Sequence, residues 1–120
     1  MPPPLLVDLA TVDFSHVEAG KAVLHTFLQQ RFEMEQLDAV VKFDLESKIA
    51  VGYKDIRPDE FWVRGHIPGR PLMPGVLMIE AAAQLSTYWI KRALGDDPGR
   101  FIGFAGLEHV RFRGTVLPGD

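Results

Sequence analysis

The sequence predicts an α+β domain in which a mostly antiparallel sheet packs against one long helix. Three observations carry that expectation. Residues 76–94 form a run of nineteen without Gly or Pro, apolar nearly all round. Six of the eleven residues 65–75 are Gly or Pro, a loop composition that feeds directly into that run. Short segments of alternating or β-rich character lie on both sides of it, and strands flanking a single buried helix are the pattern of an α+β layer.

Taken in chain order, Ser15 followed by Glu18 is a capping-box pattern, and Val17, Leu24, Phe27 and Leu28 recur at roughly helical spacing. An amphipathic helix over 16–30 follows, weakened by Gly20, since a glycine inside a helix costs about 1 kcal/mol relative to alanine. Val41, Phe43 and Leu45 alternate with Lys42 and Asp44, and Ile49, Val51 and Tyr53 alternate with polar or small residues. Each reads as a half-buried strand, joined by a hairpin over 45–48. Residues 61–63 read as a short strand after the turn at 57–60, and 102–104 and 110–112 as two further segments. The long helix is placed at 74–94. Pro74 suits a first turn where a missing N–H costs nothing, Gly95 suits the stop, and Lys91 and Arg92 lie favourably in the last turn. At 1.5 Å per residue it spans roughly 30 Å, about the width of a small domain.

Composition excludes several classes. The chain has 120 residues, 47% hydrophobic and 24% charged, which fits one soluble domain rather than a disordered or membrane chain. A net charge of −3 with no block of like charges gives no surface for nucleic acid. The absence of cysteine removes disulfides, thiolate metal sites and a cysteine nucleophile, and is compatible with a reducing cytoplasm. The opening prolines are a poor secretory signal, and no apolar run is long enough to span a membrane. No internal repeat is present. The glycines form neither phosphate-binding pattern, and no pair of histidines has a metal-binding spacing, so no metal is expected.

The residues suited to chemistry cluster around the long helix. Glu80 is its only acidic group over 76–90, and Gln84 and Thr87 continue a polar stripe along the same face. An isolated helical Glu ordinarily faces water, but in so apolar a helix it must be matched by partners or lose its charge. His66 sits among tight-turn residues that hold it in a defined place, and an imidazole suits general-base work near neutral pH. Most lone loop histidines are structural or merely exposed, and His16, His25 and His109 are assigned to that class. At the helix start, the backbone N–H groups of Gly75 and Val76 lack intrahelical partners and carry the positive end of the helix dipole. Glycine there would let a carbonyl approach closely. Base, acid and oxyanion donor within fifteen residues suit proton abstraction beside a carbonyl followed by loss of a β-hydroxyl.

The string GHIPGRPLMPGVLMIEAAAQ at 65–84 closely resembles the active-site segment of the 3-hydroxyacyl-acyl-carrier-protein dehydratases of type II fatty acid synthesis, particularly the FabZ type. RFEMEQLDAV at 31–40 resembles a diverged first conserved stretch, and VRFRGTVLPGD at 110–120 is similar to a later motif. The resemblance covers 31–120 and leaves 1–30 as an N-terminal extension. It implies a hot-dog fold, an antiparallel sheet wrapped around the central helix, and a homodimer whose sheets join, or a higher even oligomer. It implies His66 and Glu80 as a catalytic pair facing each other across the dimer interface, with a Gly75 amide, assisted by Val76, on the thioester carbonyl. Pro74 and Gln84 would support them. Glu at position 80 resembles the simple dehydratase branch rather than the isomerising one.

The implied reaction needs no cofactor. His66 takes the α-proton, and Glu80, its pKa raised by burial, protonates the departing hydroxyl to leave a trans-2-enoyl thioester. An acidic acyl carrier protein would approach Arg64, Arg70 or Arg100. Two departures stand out. EMEQLD at 33–38 is more polar and more helical than the family's apolar, proline-containing stretch, and the sequence stops at 118–120 where the pattern continues into final strands, so 31–120 is expected to be C-terminally short. A non-catalytic or acyl-binding hot-dog subunit and a hot-dog thioesterase are the competing readings; retention of both His66 and Glu80 argues against the first, and the histidine block against the second.

Overall fold

Pro74 and Gly95 bound the long helix as the sequence predicts. In the computed structural model, which describes residues 4–95 and 101–120, this helix runs over Gly75–Leu94 and is α2; the shorter α1 runs over Lys21–Phe27. Pro74 is the extended N-cap, with no side-chain hydrogen bond, and Gly95 closes the helix at φ 59°, donating to the Arg92 and Lys91 carbonyls. A left-handed residue is what this closure requires, and glycine adopts it without strain.

Strands β1, Ala39–Asp44, and β2, Ile49–Tyr53, pair antiparallel, with Ala39 opposite Tyr53 and Asp44 opposite Ile49. The register shifts between Val40 and Lys42. Their connection is the expected hairpin: the Asp44 carboxylate accepts the N–H groups of Glu46 and Ser47, and Lys48 turns the chain at φ 59°. The other edge of β1 is met by Ala19, whose N–H donates to the Val40 carbonyl and whose own carbonyl accepts from the Val40 N–H.

The main core joins these pieces. Ala19, Leu24, Leu28, Leu37, Val40 and Tyr88 are buried together, with Phe27, Phe43 and Leu85 packed around them. Tyr88 meets the edges of both Phe27 and Phe43. Lys91, buried on α2, donates to the Phe27 carbonyl at 2.7 Å, so a cation from one helix closes the C-terminal end of the other. A second cluster, Ile56, Trp62 and Met73, lies beneath the loop that leads into α2.

Four expectations need correction. The first helix is Lys21–Phe27 rather than 16–30. Ser15 spends its hydroxyl on Asp13, Glu18 reaches Arg92 and His16, and the Glu18 and Ala19 N–H groups both donate to Val40, which holds that stretch extended. Gly20, read as an interior residue, is the N-cap. Residues 61–63 form turns, because the N–H groups of Val63, Gly65 and His66 donate back to Glu60 and Trp62 instead of to a neighbouring strand. Residues 102–104 and 110–112 form no strand, so the sheet among the described residues has two strands. The fourth concerns α2: only Gln84, Tyr88 and Lys91 are fully buried, and its other flanks are half-covered or open rather than enclosed by sheet.

Candidate active site

The helical stripe read from sequence is a real surface. Glu80, Gln84 and Thr87 line a cleft of about 410 Å³ together with Gln30, Ile90 and the segment 101–105. Glu80 is half-buried rather than enclosed. Thr87 returns its hydroxyl to the Ala83 carbonyl one turn back, so it shapes the wall without offering a free donor.

Gln84 is the organising residue. Its Oε1 accepts the Gln36 N–H at 3.0 Å, and its Nε2 donates to the Met34 carbonyl at 2.7 Å and to Glu80 Oε1 at 3.3 Å. The two backbone groups fix which way the amide faces, since a flipped amide would set oxygen against oxygen at Met34 and nitrogen against N–H at Gln36. Glu80 therefore meets a fixed donor on Oε1, while Oε2 has no hydrogen-bond partner among the described residues. Sequence reading found Gln84 but missed the segment that holds it. The signal was present in the polar run 33–36 where an apolar stretch was expected.

His66 is exposed in the turn before α2, its N–H donating to the Trp62 carbonyl. Nδ1 lies 3.0 Å from the Leu72 carbonyl oxygen. A carbonyl can only accept, so Nδ1 carries the proton of the neutral ring and Nε2 keeps its lone pair outward, the state a general base needs. His66 does not line the cleft beside Glu80, and among the described residues no hydrogen bond or ion pair joins the two within one chain.

The start of α2 is open. No side chain caps it, and among the described residues the N–H groups of Gly75 and Val76 have no partner. The close approach expected at Gly75 is made by Phe112: a Cβ at position 75 would stand 2.8 Å from its ring. The stretch following Phe112 is tied alongside by the Met73 N–H donating to the Val116 carbonyl at 2.8 Å. Of the candidate basic residues, Arg64 and Arg70 are exposed in the His66 loop, and Arg100 lies outside the described residues. Among the described residues no group of three or more His, Cys, Asp or Glu is placed to hold a metal ion.

The chain is 38% identical over 94 residues to the 3-hydroxyacyl-[acyl-carrier-protein] dehydratase FabZ of Hydrogenobaculum sp. (strain Y04AAS1), covering 78% of this chain and 63% of that protein. Its identity to the dehydratase FabZ of Clostridium beijerinckii is 41% over 97 residues, 78% of this chain and 66% of the relative. To that of Xanthomonas campestris pv. campestris (strain B100) it is 37% over 98 residues, 81% and 64%. The chain thus spans just under two thirds of the length of these relatives. The model of the FabA-like domain matches residues 28–120, which include the His66 loop, the whole of α2 and the segment that holds Gln84. With that match covering most of its length, the chain belongs to the FabA-like domain family.

Proposed function

We propose that the protein dehydrates 3-hydroxyacyl thioesters carried on acyl carrier protein, giving trans-2-enoyl thioesters in fatty acid or related acyl biosynthesis. The observation that carries this reading is the presence of two oriented groups on and before one helix: a His66 whose Nδ1 faces the Leu72 carbonyl, so that the neutral ring has its lone pair on Nε2, and a Glu80 whose Oε1 is engaged by Gln84. His66 Nε2 takes the α-proton, and the electron pair moves toward the thioester oxygen, where the open N–H groups of Gly75 and Val76 receive the charge. The C–O bond at the β-carbon then breaks as Glu80 protonates the hydroxyl, and water leaves. Return of the proton from His66 to Glu80 through solvent restores both groups.

Because His66 and Glu80 do not meet within one chain, the site is completed by a second copy, each copy supplying the histidine to the other's glutamate. The relatives are named for action on acyl-carrier-protein substrates, and Arg64 and Arg70 beside His66 offer the cationic face that an acidic carrier would meet. Among the described residues no helix is long and apolar enough to cross a membrane, and the cysteine-free composition suits a reducing cytoplasm.

The test is formation of an enoyl thioester from a 3-hydroxyacyl thioester by the full-length protein. Enoyl product from wild type and none from His66→Ala supports the reading; hydrolysis to the free acid without enoyl product overturns it.

A further inference from the structure

Glu80 is held by Gln84, and Gln84 is held by a short segment whose own hydrogen bonds, Met34 to Arg31, Glu35 to Phe32 and the Gln36 side chain to Glu33, close a turn with one strained residue. Phe32 stands at φ 56°, a left-handed conformation that costs a non-glycine residue on the order of 1 kcal/mol or more. Phe32 is 86% exposed, so its side chain gains little packing to offset the strain. The anchors of 31–36 are polar and lead to α1. Arg31 donates to the Leu28 and Gln30 carbonyls and to that of His25. The Glu35 carboxylate is gripped by the His25 ring on one oxygen, with the Lys21 ammonium at 3.8 Å from the other. Glu35 is largely sheltered, with 18% of its side chain exposed, so this contact is less screened than an open surface pair.

His25 is itself fixed in place, because Leu24 is in the main core and Lys91 from α2 holds the Phe27 carbonyl. His25, Glu35 and Gln84 all line the same small void between α1 and α2. The geometry points to His25 as a positioning residue for Glu80: through Glu35 it clamps the Met34 carbonyl and Gln36 N–H that orient the Gln84 amide toward the carboxyl group. This inference rests on the dehydratase reading for its kinetic consequence. It reaches beyond the family match, which begins at residue 28, and beyond the assignment of His25 as merely exposed.

The test uses the full-length protein and the N-acetylcysteamine thioester of 3-hydroxybutanoate. His25→Leu is expected to lower kcat about tenfold with KM within about twofold, the signature of a lost transition-state contact rather than lost substrate binding. His25→Lys, which places a hydrogen-bond donor beside Glu35, is expected to recover most of the rate. In a Gln84→Leu background the His25→Leu change is expected to have little further effect, since both act through one chain of contacts. His16→Leu is the matched control, an exposed histidine on Glu18 rather than on the Gln84 segment, and is expected to leave kcat unchanged.

Independent effects of His25→Leu and Gln84→Leu, or an equal loss in His16→Leu, overturn the inference. If wild type forms no enoyl product, the dehydratase reading falls separately, and hydrogen exchange at the Gln36 amide decides the structural claim. That amide is expected to exchange about tenfold faster in His25→Leu; unchanged exchange overturns the clamp.

Discussion

Gln84 donates to Glu80 one helical turn away while accepting the backbone N–H of Gln36, so one buried amide couples the acidic group of the cleft to a segment 48 residues earlier in the chain. Removing that amide strands its partners. Gln84→Leu is expected to cost about 1–3 kcal/mol of stability, the penalty for leaving a buried N–H without an acceptor. Urea unfolding measures it, and an unchanged midpoint and slope would contradict the account.

The proposed division of His66 and Glu80 between two copies predicts complementation. His66→Ala and Glu80→Ala are each expected to be inactive, yet refolding an equal mixture should restore about a quarter of the wild-type rate, because half the dimers are mixed and each then holds one intact site. Recovery of no activity, with mixed dimers demonstrated by mass, would place both groups of a site in the same chain.

Phe112 and Gly75 should behave as a coupled pair. An alanine methyl at position 75 would meet the Phe112 ring at 2.8–3.0 Å, but Phe112 is 54% exposed and its ring can swing outward. Gly75→Ala is therefore expected to displace Phe112 and to cost no more than about 1 kcal/mol, with Phe112→Ala adding little once the first change is present. Double-mutant unfolding measures this, and strict additivity would mean that the ring does not rest on the glycine.

Asp38 supplies a pH dependence. Burial pushes its carboxyl pKa up, but a hydrogen bond from Arg57, another from the Asp55 N–H, and the charges of Arg57 and Lys21 outweigh that and hold it below the ordinary carboxylate range. The unfolded chain binds the proton more readily, so this contribution is present above about pH 4, the unfolded value, and is lost as pH falls through the lower folded value. Arg57→Met is expected to weaken the fall in stability below about pH 4, as measured by thermal unfolding across pH 2–6. An undiminished acid dependence would assign it to other carboxylates.

The parts of the fold legible in the sequence were those set by local rules. Pro74 and Gly95 mark the ends of α2 through backbone geometry that neighbours cannot override, and alternation marked β1 and β2 although their burial does not alternate, Ala39, Val40 and Val41 being buried in a row and Val51 alone in β2. The capping pattern at Ser15 and Glu18 misled because both side chains were drawn to other partners and Val40 competed for the backbone. Glu80 and Gln84 were visible as a pair because four residues bring side chains onto one helix face. The contacts from Gln84 to Met34 and Gln36 were not, since nothing local in a sequence reports a pairing across fifty residues; only the unexpected polarity of 33–36 hinted at it.

The three deepest positions of α2 are Gln84, Tyr88 and Lys91, and two of them are polar groups bonded to backbone on other segments. Apolar contact is non-directional and would tolerate a helix rolling about its axis. Hydrogen bonds do not, because they weaken steeply as their angles open. Gln84 and Lys91, almost two turns apart, thus act as keys that set the rotational phase of the helix, and that phase decides which way Glu80 points.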